Sequence, residues 1–120
     1  MIDAPVLRAA VVVALLGWPA AVGAEESGSL AAKRAAAPSY GFLVAYPSRC
    51  AALAPRVGAV TGRMEVRYDF VVEDFDGDSP LGKGPIAAGR RRAAAAARRP
   101  GFCARLAREL NAADRALQLR

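Results

Sequence analysis

Two cysteines, Cys50 and Cys103, place the strongest constraint on how this chain can fold. Each of them follows a proline by three positions, Pro47 in one case and Pro100 in the other. Because proline is tolerated in the first turn of a helix, this spacing predicts that each cysteine lies in the first turn of a helix. A bridge would join the starts of two helices, and a further helix must return the chain between them. We therefore expect an all-α domain of about three helices, stapled by one disulfide.

The small size of the chain makes such a bridge valuable. The hydrophobic fraction of 54% overstates the core, since alanine supplies much of it. A small domain with few large apolar side chains often needs a covalent staple. Closing a loop of about 50 residues stabilises the folded state by about 4 kcal/mol in the loop-entropy description. The bridge also requires an oxidising compartment, so the destination of the protein matters.

Residues 1–24 have the three regions of a secretory signal peptide. Arg8 and the free amino terminus supply positive charge, an apolar run follows over 9–16, and small residues at 22–24 suit a signal peptidase. The run is too short for a transmembrane helix, which needs about 20 apolar residues. We predict that the protein is exported, to the periplasm or beyond the cell, and that no transmembrane anchor remains after processing.

The segment after the predicted cleavage site has little to bury. Residues 25–39 are small or polar, and they contain few large apolar side chains. Such a segment does not repay the entropy of ordering. We therefore predict a flexible tether over 25–39, followed by a single disulfide-stapled domain over 40–120.

The middle of the chain supports two interpretations. From Leu53 to Phe75 the apolar residues recur at a spacing of three or four, which is typical of an amphipathic helix. Between 63 and 72 they also alternate with polar residues, as in a strand. A strand would need a partner, and residues 40–46 are the only candidate. Because an isolated two-stranded sheet is marginal, we favour the helix; the alternative is an α+β fold with a sheet formed by 40–46 and 63–72.

Three carboxylates alternate in a turn-rich segment, at Asp74, Asp76 and Asp78. This string resembles the first two-thirds of an EF-hand calcium loop. Ser79 and Pro85 stand where that loop has its invariant glycine and its bidentate glutamate. The resemblance therefore implies weak calcium binding at most, and a calcium-binding structural module is the alternative function.

A helix is predicted over residues 86–99, and one broad face of it is basic. The opposite face is small, with Gly89 and Ala93 among its residues, so it can pack only shallowly. Guanidinium groups suit phosphate and carboxylate partners. The basic face, which is the candidate site for an anionic partner, consists of Arg90, Arg91, Arg92, Arg98 and Arg99.

The overall charge agrees with an anionic partner but does not prove one. The chain carries 17 Lys and Arg against 11 Asp and Glu, a formal net charge of +6. Only Lys33 and Lys83 are lysines, and this preference for arginine together with abundant alanine is typical of a GC-rich genome. We expect an envelope protein or an anionic envelope component as partner. Nucleic acid is not expected, because no aromatic residues interleave the arginines.

The sequence offers little for catalysis. It has no histidine, which removes the commonest general base and metal ligand. Paired carboxylates do occur, Glu65 with Asp69 and Glu109 with Asp114, and a hydrolase that uses such a pair is the third hypothesis. We predict a non-catalytic binding or accessory protein of the cell envelope, without a cofactor unless it is weakly bound calcium.

Overall fold

The computed structural model describes residues 29–119, and within this range it contains four α-helices and no strand. The predicted all-α domain is therefore confirmed, and the alternative α+β fold is not: residues 40–46 are almost wholly helical, as are 63–67. The predicted signal peptide, 1–24, lies outside the described residues. The helices are α1 over 29–45, α2 over Ala54–Arg67, α3 over Ala87–Ala97 and α4 over Phe102–Gln118.

The core follows the apolar stripes of α2 and α4. In α4 the buried residues are separated by four, four and three positions, as expected for one face of a helix. In α2 the buried face includes one polar residue, Thr61, whose hydroxyl donates a hydrogen bond to the Val57 carbonyl oxygen over 2.8 Å. The buried residues of the two helices are Val57, Val60, Thr61, Met64, Phe102, Leu106, Leu110 and Ala113.

Helix α2 ends earlier than its apolar pattern predicts. The pattern continues to Phe75, but the helix stops at Arg67, and Asp69 takes a left-handed conformation with φ of 57°. The Phe70 amide donates to the Glu65 carbonyl oxygen over 3.1 Å, which closes the helix end. Aspartate tolerates the left-handed region better than most residues, so it can terminate a helix where no glycine is present.

An aromatic cluster packs beneath this helix end. Tyr40 of α1 lies 4.9 Å from Phe70 and 5.3 Å from Phe75, measured between ring centroids. The Tyr40 hydroxyl donates a 2.6 Å hydrogen bond to the Glu65 carboxylate. Burial, together with that carboxylate, raises the pKa of Tyr40 well above its ordinary value, although Arg90 opposes the shift. The hydroxyl therefore stays protonated and serves as a donor that ties α1 to α2.

The helix predicted over residues 86–99 starts earlier than predicted, inside the turn-rich segment. Helical structure resumes at residue 80 and passes through a single π turn, Gly82–Ile86, into α3. The Ser79 hydroxyl accepts a 2.8 Å hydrogen bond from the Gly82 amide, and Pro80 follows it directly. Serine as the capping residue with proline at the next position is a helix-start signal. It outweighs the two glycines and the proline that indicate a loop.

Helix α1 occupies most of the segment that was predicted to be a flexible tether. Residues 29–39 are helical, Ala37 is fully buried, and the compact unit Ala32–Arg120 begins well before residue 40. The part of the predicted tether over 25–28 lies outside the described residues. Alanine has the highest helix propensity, so a segment poor in large side chains can still be ordered when small side chains suffice for packing. Here they suffice because α3 also presents small residues.

Helices α1 and α3 cross in close contact. A Cβ atom at Gly41 would overlap the Ile86 carbonyl oxygen, and one at Gly89 would overlap the Pro38 carbonyl oxygen. Ala93, one turn further along α3, is fully buried. The shallow face predicted for this helix is therefore used for backbone-to-backbone packing, which only residues without a side chain allow.

The disulfide joins Cys50 to Cys103, with 5.6 Å between their Cα atoms. Cys103 lies in the first turn of α4, as predicted. Cys50 does not lie in the first turn of α2: it follows a single 3-10 turn, Pro47–Arg49, and precedes α2 by four positions. Pro47 begins this short turn rather than α2, and for this reason the proline spacing did not predict the position of Cys50 correctly. The bridge still fastens the α1–α2 connection to the start of α4.

Candidate functional site

The five arginines of the predicted basic face are all exposed, but they do not form one face. Helix α3 ends at Ala97, so Arg98 and Arg99 lie beyond its last full turn. Three consecutive residues on a helix, such as Arg90 to Arg92, spread over about 200° of its circumference. The side chains of Arg91, Arg98 and Arg99 make no hydrogen bond or ion pair within residues 29–119. The arginines therefore separate into different environments.

Arg92 is the member that faces a neighbouring helix. Its guanidinium forms an ion pair with the Glu109 carboxylate of α4, with 3.3 Å between nitrogen and oxygen. The same guanidinium lies 5.0 Å from the centroid of the Phe42 ring of α1, close enough for a cation–π contact. Arg92 thus stands at the place where α1, α3 and α4 meet.

A surface groove of about 240 Å³ opens at this place, and we call it the arginine groove. Two further arginines, Arg105 and Arg108, reach it from α4. Arg105 donates a 2.9 Å hydrogen bond to the Pro100 carbonyl oxygen, which orients its side chain across the start of the helix. Arg108 is exposed and makes no hydrogen bond or ion pair among the described residues. The groove is lined by Phe42, Arg92, Arg105, Arg108, Glu109 and Ala112.

Sequence reasoning missed two of these three arginines. Arg105 and Arg108 are three positions apart on α4, which places them on the same side of that helix. That spacing was available in the sequence, but its relation to Arg92 depends on how α3 packs against α4. The prediction relied on the density of arginines, which is highest at 90–92 and 98–99. The structure brings only one of those five into the groove.

The composition of the arginine groove suits an anion. Three guanidinium groups surround it against a single carboxylate, so its net charge is positive even with Glu109 ionised. Guanidinium groups bind phosphate and carboxylate oxygens through paired hydrogen bonds. The Phe42 ring, which is 3% exposed, forms a rigid apolar floor. Glu109, the one carboxylate of the lining, is paired with Arg92.

The acidic segment does not gather its carboxylates. No group of three metal-ligating side chains occurs within residues 29–119. Asp74 pairs with Lys33 over 3.0 Å and accepts the Val71 amide over 2.8 Å, while Asp76 accepts the Asp78 amide over 3.1 Å. The calcium site predicted from Asp74, Asp76 and Asp78 therefore lacks its geometry, because two of the three carboxylates serve as local caps.

Lys33 helps to lower the pKa of Asp74, the carboxylate with which it pairs. Burial opposes ionisation of this carboxylate, but the Val71 amide and the Lys33 ammonium group outweigh burial, and the pKa of Asp74 is lowered. Lys33 also donates to the Asp69 carbonyl oxygen over 2.8 Å. A residue predicted to lie in a tether is thus the polar tie between α1 and the segment that follows α2.

Three of the four carboxylates considered for hydrolysis are engaged in contacts between helices. Glu65 accepts the Tyr40 hydroxyl, and Glu109 pairs with Arg92. Asp114 forms ion pairs with two arginines of α2, at 2.9 Å from Arg63 and 3.8 Å from the second, Arg56. These contacts link helices to one another, and Glu109 remains in the lining of the arginine groove.

Comparison with known proteins adds no functional information. No family model matches the chain, and no curated protein or solved structure is significantly similar to it. Among the helices of the described residues, none has the length and apolar character needed to cross a membrane. The functional argument therefore depends on the geometry of the arginine groove.

Proposed function

We propose that this chain is an exported, non-catalytic binding protein of the cell envelope that captures an anionic partner through the arginine groove. The observation that carries the proposal is the convergence of Arg92, Arg105 and Arg108, from two helices, around one apolar floor. The signal-like residues 1–24 and the net charge of +6 agree with this role. In an envelope, the accessible anions are phosphate and carboxylate groups of lipids, glycolipids and proteins.

The remaining arginines have a supporting role in this proposal. Arg91, Arg98 and Arg99 are exposed, so they raise the positive potential around the groove without shaping it. Exposed charges steer an anionic partner over longer distances, and their effect is screened within about 8 Å at physiological ionic strength. Capture should therefore be strong at low salt and retain a groove-dependent part at physiological salt.

The proposal is tested by co-sedimentation with lipid vesicles containing phosphatidylglycerol, with pure phosphatidylcholine vesicles as the neutral reference. The double variant Arg105→Gln/Arg108→Gln should weaken binding to the anionic vesicles roughly thirtyfold, since each basic residue near such a surface contributes about 1 kcal/mol. Arg108→Gln alone provides a check that does not disturb the hydrogen bond from Arg105 to Pro100. Thermal melting confirms that each variant is folded.

The matched control is Arg91→Gln/Arg98→Gln, which removes the same charge outside the arginine groove. We expect this control to lose less than threefold at physiological salt. Equal losses for the two double variants would show that charge alone matters and would overturn the assignment of the groove. Equal binding to anionic and neutral vesicles would overturn the anionic partner itself.

A further inference from the structure

A second groove, of about 390 Å³, lies between α1 and α4, and we call it the alanine groove. Its walls are built mainly from side chains too small to fill the space between two helices. Met64 of α2 and Tyr68, which follows that helix, contribute to the same surface. A volume of this size lies in the range of small-ligand sites, roughly 300–1,000 Å³. The alanines that line it are Ala32, Ala35 and Ala36 of α1 and Ala112, Ala113 and Ala116 of α4.

One polar atom in this apolar groove has no partner. Ser39 lines the alanine groove, and its hydroxyl oxygen is buried without a hydrogen bond among the described residues. A buried hydroxyl without a partner costs about 1–3 kcal/mol. The Ser39 hydroxyl is thus a polar atom within a wall of mainly small apolar side chains.

The alanine groove and the arginine groove adjoin each other. Both are lined by Glu109 and Ala112 of α4. Along α1 the lining residues run from Ala32 at one end to Phe42 at the other, while along α4 they run in the opposite direction. The two helices are therefore antiparallel, and the joined grooves follow them for about ten residues, roughly 15 Å. One end of this path is apolar, and the other is cationic.

We infer that the joined grooves bind an anionic amphiphile with a single alkyl chain. Its charged head lies among Arg92, Arg105 and Arg108, and its chain lies along the alanines between α1 and α4. This inference rests on the proposed function and adds the chemical class of the partner. It is carried by the change from apolar to cationic lining between two grooves that share Glu109 and Ala112.

Charge argues for this occupant over a second copy of the chain. Two copies would bring two net charges of +6 together, and like charges oppose association. An uncharged hydrophobic ligand would leave the arginines at the end of the path without a partner. An anion with one chain satisfies both ends, since its head replaces water around the guanidinium groups while its chain covers the alanines.

The test is isothermal titration calorimetry with three soluble probes, each kept below its micelle concentration, on the protein as it is purified from the envelope fraction. Dodecyl phosphate has both the chain and the charge, butyl phosphate has the charge with a short chain, and dodecyl maltoside has the chain with a neutral head. Dodecyl phosphate should bind at least tenfold more tightly than either of the others. Burial of only two methylene groups gives a factor of this size.

Substitutions at each end separate the two parts of the inference. Ala35→Leu/Ala116→Leu, at two exposed positions of the alanine groove, should weaken dodecyl phosphate roughly tenfold and leave butyl phosphate unchanged. Arg108→Gln should weaken both phosphates and leave the maltoside unchanged. The matched control, Ala59→Leu, places the same leucine on an exposed position of α2 outside the path and should change none of the three affinities.

Three results would overturn the inference. Equal affinity for dodecyl and butyl phosphate would show that no chain is bound, while the proposed function would stand if vesicle binding still depends on Arg108. Equal affinity for dodecyl phosphate and dodecyl maltoside would show that the charge is not recognised. A dimer in analytical ultracentrifugation that Ala35→Leu/Ala116→Leu converts to a monomer would assign the alanine groove to a second copy of the chain.

Discussion

Helix α1 meets two neighbours with small residues on both sides, yet the two contacts differ completely. Against α3, Gly41 and Gly89 allow the backbones to touch. Against α4, alanines face alanines and leave the alanine groove. Small residues therefore permit close packing but do not enforce it.

Large side chains at one end explain the difference. The rings of Phe42 and Phe102 stack between α1 and α4 with 6.1 Å between centroids, and Tyr46 meets Phe102 edge-on at 6.3 Å. The distance between two packed helices depends on the side chains at their contact. The aromatic rings hold α4 away from α1, and the alanines further along cannot close the gap.

The largest effect on stability is expected from removing the disulfide, which attaches the start of α4, next to Phe102, to the α1–α2 connection. Replacing both cysteines, Cys50→Ala/Cys103→Ala, should lower the free energy of unfolding by about 4 kcal/mol and the melting temperature by about 20 °C. Because the bridge ends in α4, hydrogen exchange should show a greater loss of protection in α4 than in α3. Equal loss in both helices would mean that the bridge does not act on the α1–α4 contact in particular.

The next largest effect is expected at the close crossing. Gly89→Ala would drive a methyl group into the Pro38 carbonyl oxygen, so we expect the free energy of unfolding to fall by about 3 kcal/mol. Gly58→Ala in α2 is the matched control, since nothing lies within 4 Å of the added atom. This control should stabilise the protein by about 0.5–1 kcal/mol. Urea denaturation measures both, and effects of the same sign would contradict the close crossing.

The groove side should respond in the opposite direction to added volume. Ala116→Leu lines the alanine groove without meeting another backbone, so the new side chain should raise the free energy of unfolding by about 0.5–1 kcal/mol. Ala59→Leu, on an exposed part of α2, serves as the reference in the same urea experiment. Destabilisation by Ala116→Leu beyond that reference would show that α1 and α4 pack as closely as α1 and α3.

The smallest effect concerns the polar tie on a third side of α1, between Lys33 and Asp74. The folded-state pKa of Asp74 is lowered, so its carboxylate contributes stability above its unfolded-state pKa of about 3.9, and this contribution is lost as the pH falls through the folded-state pKa. Asp74→Asn should therefore reduce the fall in stability between about pH 6 and pH 3.

The control for this last experiment is Asp78→Asn, whose carboxylate makes no hydrogen bond or ion pair among the described residues. Denaturation with urea at each pH compares the variants with the parent protein. A pH dependence that is the same for Asp74→Asn and for the parent would show that the Lys33 contact contributes nothing measurable.

Prediction from sequence succeeded where large apolar side chains mark one face of a helix. The spacing of Phe102, Leu106 and Leu110 is typical of one buried face of a helix, and all three residues are buried on α4. The pairing of Cys50 with Cys103 is also correct, since the chain contains no other cysteine. The same method overran the end of α2, because the left-handed Asp69 interrupts a periodic pattern that its side chain does not disturb.

Prediction from sequence failed for segments whose structure depends on the helix that they pack against. Residues 29–39 look unable to order themselves, and they are ordered because small side chains such as Ala37 are buried against the remainder of the domain. The basic face was assigned to the densest run of arginines, whereas the groove takes one arginine from that run and two from α4. Neither result could be read from one helix considered alone.

The sequence by itself determined the all-α class, the disulfide and the apolar faces of α2 and α4, because these follow from the local period of large side chains and from the identity of two cysteines. Only the tertiary structure decided that α1 belongs to the domain, that Gly41 and Gly89 meet another helix, and that Arg92 joins Arg105 and Arg108. The physical reason is that alanine, glycine and exposed arginine have little preference of their own for a buried or a paired position. Whether such a residue is buried or paired depends on the distance to the neighbouring helix, and a few aromatic rings set that distance.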